Sequence, residues 1–192
     1  PRELLYLRGN KISMIFQEPM SALNPLHTVF QQISEIVTIH NPLGEKNLKE
    51  KVYELLEKVE LQKYGKIEKI AASYPHELSG GQRQRVMIAI AIANNPILLI
   101  ADEPTTALDL TIQYQILNLL KKLQEDSQMS ILLITHDLTV VKKYSDFIYV
   151  IHKGKIVEKN YTPELFENPS NQYTKDLLKN KHKKNNNNSN SL

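Results

Sequence analysis

Asp102 and Glu103 stand side by side at the end of an uninterrupted apolar run, Ile97-Leu98-Leu99-Ile100-Ala101. Neighbouring side chains of an extended segment point to opposite sides. One carboxylate can therefore hold a hydrated metal while the other orients a water. Two more apolar runs end in polar groups suited to the same site. Lys11-Ile12-Ser13-Met14-Ile15-Phe16 ends at Gln17, and Ser130-Ile131-Leu132-Leu133-Ile134-Thr135 ends at His136. A fourth stretch, Ser79-Gly80-Gly81-Gln82, opens a helical pattern. A serine cap and two glycines leave backbone N–H groups uncovered at a helix start, where the dipole favours an anion.

The elements that position these residues follow from their flanks. Asn94-Asn95-Pro96 before Ile97 and Pro104 after Glu103 bound a short apolar run, which predicts a strand buried on both faces of a parallel sheet. Ligands of such sheets bind beyond the strands' carboxyl ends, so Gln17, Asp102, Glu103 and His136 are expected at one edge. Residues 28–39 and 45–63 read as helices. In the second, Leu48, Val52, Leu55, Leu56 and Val59 form one apolar face. No strand pattern occurs between Gln17 and Pro96, which predicts a helical insert over about 18–95. Helices are expected from Ser79 to Ala93, over 111–125, over 138–145, from Thr162 (as N-cap, with Pro163 at the first helical position) and over 171–180. A hairpin of 147–151 and 156–158 is expected across His152-Lys153-Gly154-Lys155. Alternating strands and helices give an α/β fold with a mostly parallel sheet.

Composition narrows the function. The chain has 192 residues and 41% hydrophobic content, enough for one domain, or one domain with a subdomain. It has no cysteine, which excludes disulfides, thiolate zinc sites and iron–sulfur clusters. No apolar run reaches the roughly 18 residues of a spanning helix. The chain is therefore expected to be soluble. Of the 24 Lys and Arg, four lie in the Lys- and Asn-rich stretch 179–192, leaving 20 against 21 acidic residues in the body. That balance does not suit a nucleic-acid surface, and the stretch 179–192 reads as a disordered tail.

Together the motifs resemble those of the ATP-binding cassette ATPases, over about residues 8–178. Leu78-Ser79-Gly80-Gly81-Gln82 matches that family's signature, Ile97 to Glu103 its Walker B strand, Gln17 its Q-loop, Ala107-Leu108-Asp109 its D-loop and His136 its switch histidine. The resemblance implies a P-loop NTPase-like fold with a helical signature subdomain, and ATP and Mg²⁺ as cofactors. It implies that Asp102 and Gln17 serve the metal and Glu103 polarises the attacking water. It also implies that His136 bonds the γ-phosphate, that Ser79 and Gly81 bind the γ-phosphate of the opposing subunit's nucleotide, and that Gln17, Gly80, Gln82 and Asp109 take part in binding the nucleotide. Phe16-Gln17-Glu18-Pro19-Met20-Ser21-Ala22-Leu23-Asn24-Pro25 and Ala101 to Asp109 are similar to ATPases of bacterial oligopeptide and dipeptide importers, as is Asn168-Pro169 with Gln172-Tyr173-Thr174. Arg8-Gly9-Asn10-Lys11, Asn24-Pro25-Leu26-His27-Thr28 and Val157-Glu158-Lys159-Asn160-Tyr161 lean towards the microcin C type of peptide importer. The implied partners are membrane permease subunits and a second ATPase subunit, at the cytoplasmic face of the bacterial inner membrane, or a cytoplasmic location for an orphaned chain. No nucleic-acid partner is implied.

The departure lies at the front. The family's phosphate loop, Gly-x-x-Gly-x-Gly-Lys-Ser/Thr, belongs upstream of Gln17, where Gly9 is the only glycine. The Walker A lysine, its neighbouring hydroxyl and the adenine-stacking aromatic are missing from this sequence. The expectation is an N-terminally truncated cassette over 1–178, in which the Ile97–Ala101 strand lacks a neighbour and keeps an unpaired edge. Two other readings stay open at this level, a non-enzymatic remnant without nucleotide binding and a non-transport member of the same family.

Overall fold

The computed structural model describes residues 2–17 and 22–179, which divide after Ile134 into two compact units. The first unit contains α1 (Arg2–Leu7), β1 (Ile12–Ile15), α2 (Val29–His40), α3 (Glu45–Lys58), α4 (Ile67–Ala72), α5 (Gly80–Ile92), β2 (Leu98–Asp102), α6 (Leu110–Ser127) and β3 (Ser130–Ile134). Short 3-10 turns lie at Leu61–Tyr64 and Pro75–Glu77. The second unit contains α7 (Leu138–Tyr144), β4 (Phe147–His152), β5 (Lys155–Tyr161), α8 (Thr162–Glu167) and a helix over 172–179. Of the loop after Gln17, Glu18–Ser21 lies outside the described residues. So does the expected tail apart from Lys179.

Strands of the first unit form one parallel sheet in the order β1-β2-β3. Ile12 pairs with Leu98 and Ile15 with Ala101, while Leu98 pairs with Ser130 and Asp102 with Ile134. Strand β2 is thus central and paired on both sides. The expected unpaired edge is corrected: among the described residues the open edges belong to β1 and β3. Burial on both faces is corrected too. Ser13, Ile15, Leu99 and Ala101 are buried against the helices, but Met14, Leu132 and Ile134 lie on the other face and stay partly exposed, and Ile97 is 64% exposed. An apolar run in sequence says that a strand has two apolar faces. It does not say that both are covered.

The insert from Val29 to Ile92 is helical throughout its regular elements. Thr28 caps α2 through a capping box: its hydroxyl accepts from the Gln31 N–H at 3.3 Å, and the Gln31 carboxamide oxygen accepts from the Thr28 N–H at 2.8 Å. Val29, Ile33 and Val37 repeat every fourth residue and are buried. Buried Gln32 is satisfied by the Asn24 N–H at 2.9 Å and by the Asn24 and His27 carbonyls at 3.2 and 3.0 Å. Helix α3 ends at Lys58, five residues short of expectation. Glu60 takes a left-handed conformation (φ 62°), and the Arg85 guanidinium donates to the Val59 carbonyl at 2.7 Å, satisfying an oxygen that another helical turn would need. Helix α5 is enclosed nearly all round: Gln84, Arg85, Val86, Met87, Ile88, Ala89, Ala91 and Ile92 are all buried. One core cluster joins it to Ile15 and Leu99 of the sheet and to Ile33, Leu55 and Leu120 of three other helices.

In the second unit β4 and β5 form an antiparallel hairpin whose turn is Lys153-Gly154 alone, with His152 paired to Lys155. Both turn residues have positive φ, 49° and 74°, as a two-residue turn matched to strand twist requires. Thr162 is the first residue of α8 rather than its cap, so Pro163 falls one position later than expected. Glu158 of β5 anchors the helix over 172–179. Its carboxylate accepts from the Ser170 N–H and O–H at 2.7 and 2.9 Å and from the Asn171 N–H at 3.2 Å. Desolvation pushes this carboxyl's pKa up, but the Thr174 hydroxyl beside it and the Ser170 and Asn171 donors outweigh that and bring it from 4.5 to about 2. A carboxyl depressed on folding stabilises the folded state above its unfolded pKa and stops doing so as pH falls towards the folded value. Thermal melts of the chain and of E158Q should therefore differ most near neutral pH. The gap should close between pH 4.5 and about 2, and a gap independent of pH would contradict this anchoring.

Candidate functional site

Parallel register brings the carboxyl ends of β1, β2 and β3 to one edge of the sheet. Gln17 lies two residues past the end of β1 and is exposed. Asp102 is the last residue of β2, half-buried, on the parity of the face that carries Met14 and Ile100. Glu103 continues the ladder for one bond, its N–H donating to the Ile134 carbonyl at 2.9 Å. It then turns left-handed with φ 44°. Strand alternation, expected from the sequence to set its direction, therefore does not do so. The turn that follows sets it.

That turn is tightly bonded. The Thr106 hydroxyl donates to Oε2 of Glu103 at 2.7 Å, and the Thr106 N–H donates to the Glu103 carbonyl at 3.1 Å. The Leu108 N–H donates to the Thr105 carbonyl at 3.3 Å. Ala107 is also left-handed, φ 65°. Two non-glycine residues in this region within five positions cost on the order of 1–3 kcal/mol each, and such strain persists only where the surroundings impose it. Asp109 closes the turn as the N-cap of α6, its carboxylate accepting from the Ile112 N–H at 3.0 Å. Thr106 was not identified from the sequence. Its signal, a hydroxyl three residues after a strand-terminal acid, is common in turns of no function.

Ser79 caps α5 as expected, within a full capping box: its hydroxyl accepts from the Gln82 N–H at 3.3 Å, and the Gln82 carboxamide oxygen accepts from the Ser79 N–H at 2.8 Å. Gln82 therefore braces the turn. Arg83, also missed, holds the approach to it, donating to the Leu78 carbonyl at 2.7 Å and to the Pro75 carbonyl at 3.3 Å. Gly80 and Gly81 form the first turn. A Cβ at Gly80 would make ordinary contact with Leu108 at 3.5 Å, whereas one at Gly81 would lie 2.9 Å from Cγ2 of Ile112. His136 belongs to the second unit, ahead of α7. Its neighbour Asp137 caps that helix, accepting from the Thr139 and Val140 N–H groups at 2.7 and 3.4 Å.

Among the described residues no three His, Cys, Asp or Glu side chains cluster as metal ligands. Asp102 and Gln17 offer hard oxygen donors at the sheet edge. One carboxylate and one carboxamide suit Mg²⁺, which keeps several waters and is commonly shared with a substrate's phosphates. They do not form a complete protein cage.

A three-stranded parallel sheet with a polar carboxyl edge and a Ser-Gly-Gly-Gln helix start fit an ATP-binding-cassette type of α/β fold. Residues 4–106 match the family model described as "ABC transporter", and the chain belongs to that family. It is 53% identical over 177 residues to a peptidoglycan transport ATP-binding protein of Agrobacterium fabrum, covering 92% of this chain and 32% of that protein. It is 49% identical to an oligopeptide transport ATP-binding protein of Lactococcus lactis and 51% identical to another of Bacillus subtilis, over 90% of this chain and 50% and 52% of theirs. The chain thus spans between a third and about half the length of these relatives. Among solved structures it is similar to a dimeric post-hydrolysis state of an ATP-binding cassette bound to ADP and Pi, at 32% identity and TM-score 0.71, covering 84% of this chain and 67% of that one.

The capping box generates a prediction independent of nucleotide. S79A should lower the chain's stability by about 1 kcal/mol, the usual cost of losing a serine N-cap, seen as an earlier urea midpoint. An unmoved midpoint would show that the hydroxyl does not cap α5.

Proposed function

We propose that these residues are the Walker B, signature, D-loop and switch-histidine portion of the ATP-binding subunit of a peptide importer. The observation that carries this is the delivery of Gln17, Asp102 and Glu103 to one carboxyl edge by two adjacent strands, β1 and β2, in parallel register. About 50% identity to oligopeptide transport ATP-binding proteins over nine-tenths of the chain supports the substrate class. Placement within the microcin C type rests on the shorter segments named above and is a finer part of the same proposal.

Glu103 acts as the base that polarises the attacking water, its carboxylate aimed by Thr106. Asp102 and Gln17 would hold Mg²⁺ with its waters; bound there, the ion would neutralise charge on transferring phosphates. His136 donates to the γ-phosphate. Ser79 and Gly81 present backbone and hydroxyl donors to the γ-phosphate held by an opposing ATPase subunit, and Asp109 lies at the contact between the two. The insert containing α2 to α5 faces membrane permease subunits, with the segment from Gln17 linking nucleotide state to that surface. Among the described residues no helix is long and apolar enough to cross a membrane. The peptide-importer reading puts the subunit at the cytoplasmic face of the inner membrane, as a peripheral protein.

Phosphoryl transfer depends on positioning and charge stabilisation, and no Gly-x-x-Gly-x-Gly-Lys-Ser/Thr run occurs in this sequence. The 192-residue chain alone should therefore release no phosphate from ATP above background. Joined to a family segment carrying that loop, it should turn over ATP. E103Q should then lower kcat by about 10²–10⁴-fold, the range typical of removing a general base, while ATP binding persists and dimers accumulate. Steady release by the isolated chain that E103Q abolishes would overturn the first expectation. Equal turnover by E103Q in the joined protein would overturn the role given to Glu103.

A further inference from the structure

The geometry points to Ile112 as a positioning residue that joins Gly81 of the helix α5 start to the carboxylate of Glu103. This rests on the proposed reading of Glu103 and Ser79–Gln82 as parts of one ATPase site. Gly81 does not have positive φ, so its backbone conformation does not demand glycine. Its neighbour does. A Cβ there would lie 2.9 Å from Cγ2 of Ile112. Ile112 is β-branched and helical, with one strongly preferred χ1, so that methyl cannot swing aside cheaply.

From Ile112 a short chain of bonds leads to Glu103. The Ile112 N–H is held by Oδ1 of Asp109 at 3.0 Å, and the Gln113 N–H by the Asp109 carbonyl at 2.8 Å. Leu108, next to Asp109, lies beside the other glycine, where a Cβ at Gly80 would meet it at 3.5 Å, and bonds back to Thr105. Thr106 in turn holds both the carbonyl and the carboxylate of Glu103. The strained segment with left-handed Glu103 and Ala107 is therefore wedged between β2 and the start of α6, and Gly81 fixes where α6 starts. A shift at the helix α5 start moves Ile112, then the cap, then the threonine that aims the carboxylate. The absent side chain at Gly81 makes the contact close enough to transmit movement.

Amide hydrogen exchange on the full 192-residue chain without nucleotide tests this. G81A should speed exchange at Ile112, Leu108 and Thr106 about tenfold, as overpacking at a tight contact does. Adding I112A removes Cγ2 and should restore slow exchange at Thr106 and Leu108. Adding I112V keeps both γ-carbons and should not. Should G81A fail to fold, I112A alone is read instead: exchange at Thr106 should rise while that in β2 and beyond Leu117 in α6 stays unchanged. Unchanged exchange at Thr106 in G81A or in I112A alone, or equal relief by I112A and I112V, would overturn the proposal. Because no nucleotide is present, failure here is distinct from failure of E103Q to lower turnover in the joined protein.

Discussion

Enclosure of helix α5 is the constraint on which the first unit depends. A helix buried nearly all round cannot shift its axis without disturbing every neighbour, because protein interiors are close-packed. It also has to carry Gln84 and Arg85 inside. A buried guanidinium is costly unless bonded, and Arg85 finds the Val59 carbonyl at 2.7 Å, with Glu60 at 3.5 Å. That bond in turn ends α3 and sets the left-handed turn at Glu60. Glu60 also pairs with Lys63 at 2.7 Å, and Lys63 and neighbouring Arg85 hold its carboxyl below the usual range against partial burial. One helix thus determines where another stops.

The same enclosure fixes the start of α5. Ser79 and Gln82 close a reciprocal cap there, and Arg83 ties the preceding turn to the helix. Two glycines next to this cap serve different purposes. Gly80 has room for a methyl group, but Gly81 does not. Close approach of α6 at Ile112 follows from the second glycine.

At the sheet edge, chemistry and strain coincide. Asp102 ends a regular strand, while Glu103 and Ala107 hold left-handed conformations that alanine and glutamate rarely adopt. The ladder bond to Ile134, the Thr106 hydroxyl and the Asp109 cap supply the restraint. A carboxylate aimed by such a turn is held more firmly than one on a free strand end, which the proposed role of Glu103 would need.

Much of this was legible in the sequence because its causes are local. Thr28 and Ser79 mark helix starts through bonds spanning three residues, Lys153-Gly154 marks a hairpin through its own backbone angles, and the apolar runs mark β1, β2 and β3. The identities of Gln17, Asp102, Glu103 and the Ser-Gly-Gly-Gln turn were readable for the same reason, since each motif lies within a few consecutive residues. What the tertiary structure alone decided involves partners far apart in the chain. β2 is central because β1 and β3, from opposite ends of the first unit, both pair with it. Helix α3 stops at Lys58 because Arg85, 26 residues beyond Val59, takes a carbonyl there. Glu103 leaves the strand direction because the Thr106 turn and α6 behind it require it. Gly81 must be glycine because of Ile112 on another helix. Periodicity and capping are properties of a segment, whereas strand order, close approach and the direction of a strained side chain exist only once distant segments have packed.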